Sequence, residues 1–520
     1  MAGAQERVAI IGGGIGGLTA AALLSARGLA VTLLERAEAP GGKLRRVPVA
    51  GRLVEAGPTV FTMAHVFESI FAEAGGDFRA EVRLAPLATL ARHAWPDGTR
   101  LDLFPDRAQS RDAIGAAFGA ASAEDFDRFA AEAARIYATL AEAFLWRPRT
   151  GPLGLTFRLG LRRLGELQAT RPYETIWRAV CGHFRDPRLA QLFARYATYC
   201  GADPFRAPAT LMLIAHVEME GVWQVEGGLV RVAEALARLA RRHGADIRTG
   251  AEVSDILVAG GRAAGVRLAS GEVVTAGTVI ANCDPSAIGT GRLGAAARRA
   301  VAAVPPAARS LSSLTLLAVG EADGVPLVHH NLFFSADYAA EFADIRAGRL
   351  PRAPTIYLCA EDRGAAPFDG GPERVQIIIN APATGDRGGP SIREVEACRD
   401  ATWTFLRRSG LSFRPIAGGL VTVTPQDYER LFPSTGGALY GRASHGWVAS
   451  FLRPGSRTRI PGLYLAGGAC HPGPGVPMAA ASGRLASEAV LVDLASTRRF
   501  HPAATPGGMS MRSPTMASTV

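Results

Sequence analysis

Near its start the chain reads Val8-Ala9-Ile10-Ile11-Gly12-Gly13-Gly14-Ile15-Gly16-Gly17-Leu18, and Glu35 follows eighteen residues after Gly17. Glycines spaced as Gly12-x-Gly14-x-x-Gly17 suit the binding of a pyrophosphate. Gly12 allows a tight turn out of a strand, Gly14 a close approach of backbone to phosphate, and Gly17 close packing of the next helix. The N-terminus of that helix adds free N–H groups and a positive dipole end, and Glu35 can accept hydrogen bonds from a ribose diol. A second glycine pair follows in Arg36-Ala37-Glu38-Ala39-Pro40-Gly41-Gly42-Lys43. Its backbone can lie on the dinucleotide, with Arg36 or Lys43 balancing phosphate charge. This second loop points to FAD rather than NAD, whose fingerprint carries no such companion.

Such residues need a strand–loop–helix–strand unit to hold them. The β-branched run before Gly12 gives the first strand, an alanine-rich helix runs to about Arg27, and Ala30–Leu34 gives the second strand. Nucleotide-binding character returns at Val225-Glu226-Gly227-Gly228. A helix of about fifteen residues follows, ending in Arg241-Arg242-His243-Gly244, with a basic last turn and a glycine cap. Strands are then expected at Ala251–Ile256 and Val279–Asn282. The linear order inserts one domain within another, and 520 residues exceed one ordinary core.

Net charge is +10, carried almost wholly by arginine. That excess suits an anionic surface, yet no compact basic run or nucleic-acid motif directs it to nucleic acid. The six cysteines lie far apart without a C-x-x-C pair, which fits a reducing compartment and no metal site. Beyond the glycine-rich start, no uninterrupted apolar run approaches ~20 residues. A cytoplasmic chain, soluble or peripheral to a membrane, is the expectation.

Two further strings complete the pattern: Glu55-Ala56-Gly57-Pro58-Thr59-Val60-Phe61, and Gly462 to Met478 with its core His471-Pro472-Gly473-Pro474-Gly475-Val476-Pro477-Met478. Together with Gly12–Glu35 and Gly41-Gly42-Lys43 they resemble the flavin-dependent amine oxidase superfamily. Within it they are most similar to bacterial carotenoid desaturases of the phytoene-desaturase type, in the hydroxyneurosporene/methoxyneurosporene branch. Similarity runs from about Arg7 to Ala495, departing from the usual pattern at Cys470 (commonly threonine) and Pro474 (commonly glycine). The resemblance implies an α/β fold, with a Rossmann-like FAD-binding domain and a discontinuous α+β substrate domain. The former would comprise residues 1–85, 220–290 and 435–495, and the latter 86–219 and 291–434. It adds Gly57, Pro58, Thr59, Val253, Gly467, Gly468, Val476, Pro477 and Met478 to the FAD site, with the backbone of Val253 meeting the adenine. The implied reaction is 3,4-desaturation of a 1-hydroxy or 1-methoxy acyclic carotenoid, at the cytoplasmic membrane surface. A multi-step phytoene desaturase, a soluble amine oxidase with flavin tethered at Cys470, and a non-catalytic carotenoid-binding flavoprotein are the rival readings.

No nucleophile elbow, metal cluster or paired carboxylates stand out, which fits a reaction whose hard chemistry belongs to a cofactor. His471 is a candidate acid/base group or else a brace for its loop. Phe144–Arg171 mixes six arginines with Trp146, Phe157 and leucines against one acid, Glu166. It suits either a segment lying in a bilayer interface or an amphipathic helix packed on its own domain. Aromatic residues across 172–219 suit a core or the wall of a polyene tunnel. His329-His330 reads as a surface loop, and Trp447 and Arg453 as pocket-lining residues. Residues 496–520 read as a disordered tail.

Overall fold

The computed structural model describes residues 6–160 and 163–500, with side chains of 164 and 497–500 excepted. Leu161, Arg162 and all but the first residues of the expected tail lie outside it. The last helix, Val476–Phe500, continues past the point where that tail was expected to begin.

Four distant stretches of chain build one five-stranded parallel sheet. Its order is Leu463–Leu465, Thr278–Ala281, Arg7–Ile11, Ala30–Leu34 and Asp246–Arg248. Strands buried on both faces must be apolar throughout, and Val8–Ile11 and Thr278–Ala281 are wholly buried. The helix Ile15–Ala26 can lie on this sheet because its residues are small. Eleven of its twelve residues are buried, so it is covered on every side rather than amphipathic. Val230–Arg242 and Val476–Phe500 cover it. A Cβ on Gly483 would collide with the Gly16 carbonyl, so the contact between the first and last helices depends on bare backbone.

The second sheet has seven strands, ordered Leu411–Val423, Ser312–Gly324, Glu373–Ala381, Ile356–Ala360, His330–Phe333, Ala91–Ala94 and Arg100–Leu103. Neighbours are antiparallel except His330–Phe333 with Ala91–Ala94. A helical layer formed from residues 107–219 packs beside it around Phe126, Phe129, Phe184, Phe193 and Tyr196. A helix runs from Ala120 to Leu140, and a π-helical turn, Ala141–Leu145, continues it. Among the described residues no helix is long and apolar enough to cross a membrane.

Candidate functional site

The strand ending at Ile11 releases the chain into a turn at Gly12, whose φ of +93° only glycine adopts without strain. Crowding explains the rest of the motif. A Cβ on Gly12 would lie 2.8 Å from the Asn282 carbonyl oxygen, and one on Gly14 2.9 Å from Asn282 Nδ2. One on Gly17 would sit well inside contact distance of the Gly12 carbonyl oxygen. Asn282, at the end of its own strand, donates from Nδ2 to the Gly12 carbonyl at 3.0 Å, and a Cβ on Gly467 would meet its Oδ1 at 2.7 Å. It thus ties the first glycine loop to the last. Sequence reasoning named the strand ending in Asn282 without giving that residue a role; a polar side chain closing a buried strand was the available signal.

The two N-terminal loops meet backbone to backbone. Gly41 donates to the Gly13 carbonyl at 2.8 Å, and a Cβ on Gly42 would stand 3.0 Å from Gly14 Cα. Glu35 is buried and its carboxylate accepts from the Gly13 and Ala37 amides at 2.7 and 2.8 Å. A carboxylate has about four acceptor positions, so two remain for a diol. Ala251 donates to the Glu35 carbonyl at 2.8 Å, which brings Val253 to the same place. Arg36 donates to the carbonyls of Arg430 and Leu431, and Lys43 to that of Leu439. Lys43 also lies 5.2 Å from the centre of the Phe432 ring, and burial pulls its pKa down. Both cations therefore strap residues 430–439 over the loops while remaining in the cavity wall.

These groups line one continuous cavity of about 1200 Å³, above the ordinary ~300–1,000 Å³ of a small-molecule pocket. Gly12, Gly14, Glu35, Arg36, Gly42, Lys43, Gly57, Pro58, Thr59, Val253, Gly467, Gly468 and Val476 all face it. Pro477 and Met478 do not line it; they sit in the first turn of the last helix. The cavity continues between the sheets to Arg195, Tyr199, Leu332, Tyr338, Thr355, Tyr357, Ile378 and Asn380. Thr59 joins the two ends, because Tyr357 Oη donates to Thr59 Oγ1 at 2.7 Å.

Several expected residues lie elsewhere. His471 is buried outside the cavity lining, and its Nε2 donates to the Arg147 carbonyl at 2.8 Å while its ring meets Phe144 edge-on at 4.8 Å. Those contacts suit a brace for the loop and place the ring away from the cavity lining. Burial lowers its pKa from 6.5 to about 4. The unfolded chain therefore takes up this proton near pH 6.5 and the folded chain only near 4, so stability is lost as pH falls through that window. His471→Gln is expected to flatten the fall in melting temperature between pH 6.5 and 4; an unchanged slope would refute it. Trp447 is exposed and meets Tyr173 edge-on, and Arg453 is buried beneath the loop, donating to the Tyr440 carbonyl at 2.9 Å; neither lines the cavity. Cys470 is buried among Ile460 and Leu465, outside the lining, with burial raising its thiol pKa. It is not placed to tether a flavin.

His329 and His330 are buried, not on a surface loop, because strand pairing sets His330 against Cys359. The third ligand type that sequence reasoning did not find comes from that neighbouring strand. One ligand atom from each of the three lies within 4.8 Å of the others. His329 already uses both nitrogens, on the Arg363 carbonyl at 2.6 Å and Cys359 Sγ at 3.6 Å. Burial pushes the Cys359 thiol pKa well up, which disfavours the thiolate a metal needs.

Two glycine loops, a helix N-terminus, a buried ribose-type acid and a cavity leading away from them define a flavin-dinucleotide oxidoreductase. The chain belongs to the family of flavin containing amine oxidoreductases, whose pattern matches residues 15–491. It is 50% identical to the hydroxyneurosporene desaturase of Rubrivivax gelatinosus, over 98% of each chain. It is 45% identical to that of Cereibacter sphaeroides, over 95% of this chain and 99% of the other. An oxidoreductase from Methanosarcina mazei shares the fold at 17% identity, with a TM-score of 0.58 over 94% of this chain and all of its own. FAD is the cofactor, and the crowded glycine cradle fits it.

Proposed function

We propose that this protein is an FAD-dependent carotenoid desaturase that introduces the 3,4 double bond into an acyclic carotenoid bearing a 1-hydroxy or 1-methoxy group. The observation that carries this reading is 50% and 45% identity, over nearly the whole chain, to two hydroxyneurosporene desaturases. Residues 1–85, 220–290 and 435–495 would hold the cofactor, and 86–219 with 291–434 the substrate. FAD supplies a two-electron hydride acceptor. Gly12, Gly14 and Gly42 would receive its pyrophosphate, Glu35 its ribose, and the segment strapped by Arg36 and Lys43 would close over it. The protein's remaining task is alignment, because a hydrocarbon offers few groups to grip and a reacting bond must be held in place. Purified enzyme given phytoene or 1-hydroxyneurosporene separates this from multi-step phytoene desaturation. Turnover of the hydroxylated chain alone is expected; turnover of phytoene alone would overturn the reading.

Access to such a substrate would come from a membrane face. In the helix Pro152–Leu159, Leu155 and Leu159 point into the core, while Leu153 and Phe157 are 77% and 80% exposed. Each pair is spaced i, i+4, so the helix is apolar on opposite sides. A helix packed only on its own domain would not need the outer pair. Exposed Tyr173, Trp447, Val448 and Leu452 extend the patch, linked through Arg149, which donates to the Phe451 carbonyl at 2.7 Å. Exposed Arg147, Arg149 and Arg158 surround it, as suits anionic headgroups.

A further inference from the structure

The far end of the cavity is more polar than a hydrocarbon requires. Arg195 lies there, only 5% exposed, donating from Nη2 to Tyr199 Oη at 3.3 Å. Its guanidinium stands 5.0 Å from the centre of the Tyr199 ring, and Tyr199 and Tyr196 both donate to Glu218. That network fixes Arg195 but leaves its Nε–H without a partner among the described residues. Tyr338, also 5% exposed, is held by Trp177, Phe205 and Phe342 at 6.0, 6.1 and 5.1 Å, and its Oη has no partner among the described residues. Burial and Glu341 raise the Tyr338 pKa while the Arg195 charge opposes them, so the phenol keeps its proton. An orphaned buried polar group is costly to keep, and two of them facing one cavity call for a ligand.

Their chemistry specifies it. Arg Nε–H only donates, whereas a phenol both donates and accepts. A tertiary hydroxyl is the complement, because it accepts from the first and donates to the second. A methoxy oxygen can only accept, and a hydrocarbon end satisfies neither. We propose that Arg195 and Tyr338 form the subsite that selects a carotenoid oxygenated at C1 and sets its register. This rests on the desaturase reading above. Without such a subsite a linear polyene could slide along the cavity, and the bond presented for oxidation would be undefined. With the oxygen held, C3 and C4 follow at a fixed distance along the chain.

The test uses the flavin-loaded enzyme with 1-hydroxyneurosporene and 1,2-dihydroneurosporene, the same chain with hydrogen in place of the hydroxyl. Both kcat/KM and the dissociation constant are measured for each. Tyr338→Phe removes only the orphaned oxygen, and Arg195→Lys keeps the charge beside Glu218 but removes the Nε donor. The wild type is expected to prefer the hydroxylated chain. Each variant is expected to lower that preference by roughly 10–100-fold, the range for a lost buried hydrogen bond. A preference within about twofold of wild type in both variants would overturn the subsite and leave the desaturase reading standing. Wild-type turnover of phytoene alone would overturn that reading and the subsite with it.

Discussion

Gly17→Ala is expected to purify without its flavin. The alanine Cβ would press on the Gly12 carbonyl oxygen and lie 2.9 Å from Asn282 Nδ2. Neither can yield cheaply. The first is backbone at a turn already committed to a positive φ, and the second is held by its hydrogen bond to that same carbonyl. The helix Ile15–Ala26 would have to move off the sheet, taking its N-terminal N–H groups away from the phosphate position. Losing those charge-assisted bonds, at about 1.5–3 kcal/mol each, predicts a fall in FAD affinity of at least ~100-fold. The flavin absorbance relative to protein in the purified variant reads this directly, and a fully yellow Gly17→Ala protein would sink it. Buried far from the substrate end, the change should leave the helical layer around Phe129 and Phe193 folded, so circular dichroism separates cofactor loss from collapse.

The double variant Leu153→Glu/Phe157→Glu should lose its attachment to vesicles of anionic phospholipid. Burying two such side chains in an interface is worth about 3–6 kcal/mol together, so partitioning should fall by about 100-fold or more. Both side chains point outward, while Leu155 and Leu159 keep the helix on its core. Melting temperature should therefore stay near wild type. Flotation with liposomes measures the effect, and equal flotation of variant and wild type would remove this helix from the membrane face.

Much of this was legible in the chain because some chemistry is local in sequence. The Gly12–Glu35 stretch carries its own turn, helix and acid, and the central parallel strands Arg7–Ile11 and Thr278–Ala281 are short apolar runs buried almost throughout. The strands expected at Ala251–Ile256 and Val279–Asn282 are present as Val253–Ala259 and Thr278–Ala281, shifted at their ends. His329-His330 reads as a surface loop from sequence because two histidines hide the start of a buried strand, His330–Phe333. Only pairing with Ile356–Ala360 supplies the apolar surroundings that bury them.

What the sequence by itself determined is that an FAD-type dinucleotide binds at the first strand, because glycine spacing and the following acid act over a few residues of backbone. What the tertiary structure alone decided is which distant side chains share the cavity. Asn282 locks the first loop to Gly467, His471 and Cys470 turn away, and Arg195 and Tyr338 meet the far end of the space. Those placements depend on sheet register and domain packing between residues hundreds of positions apart, which leave no local pattern of residue types to read.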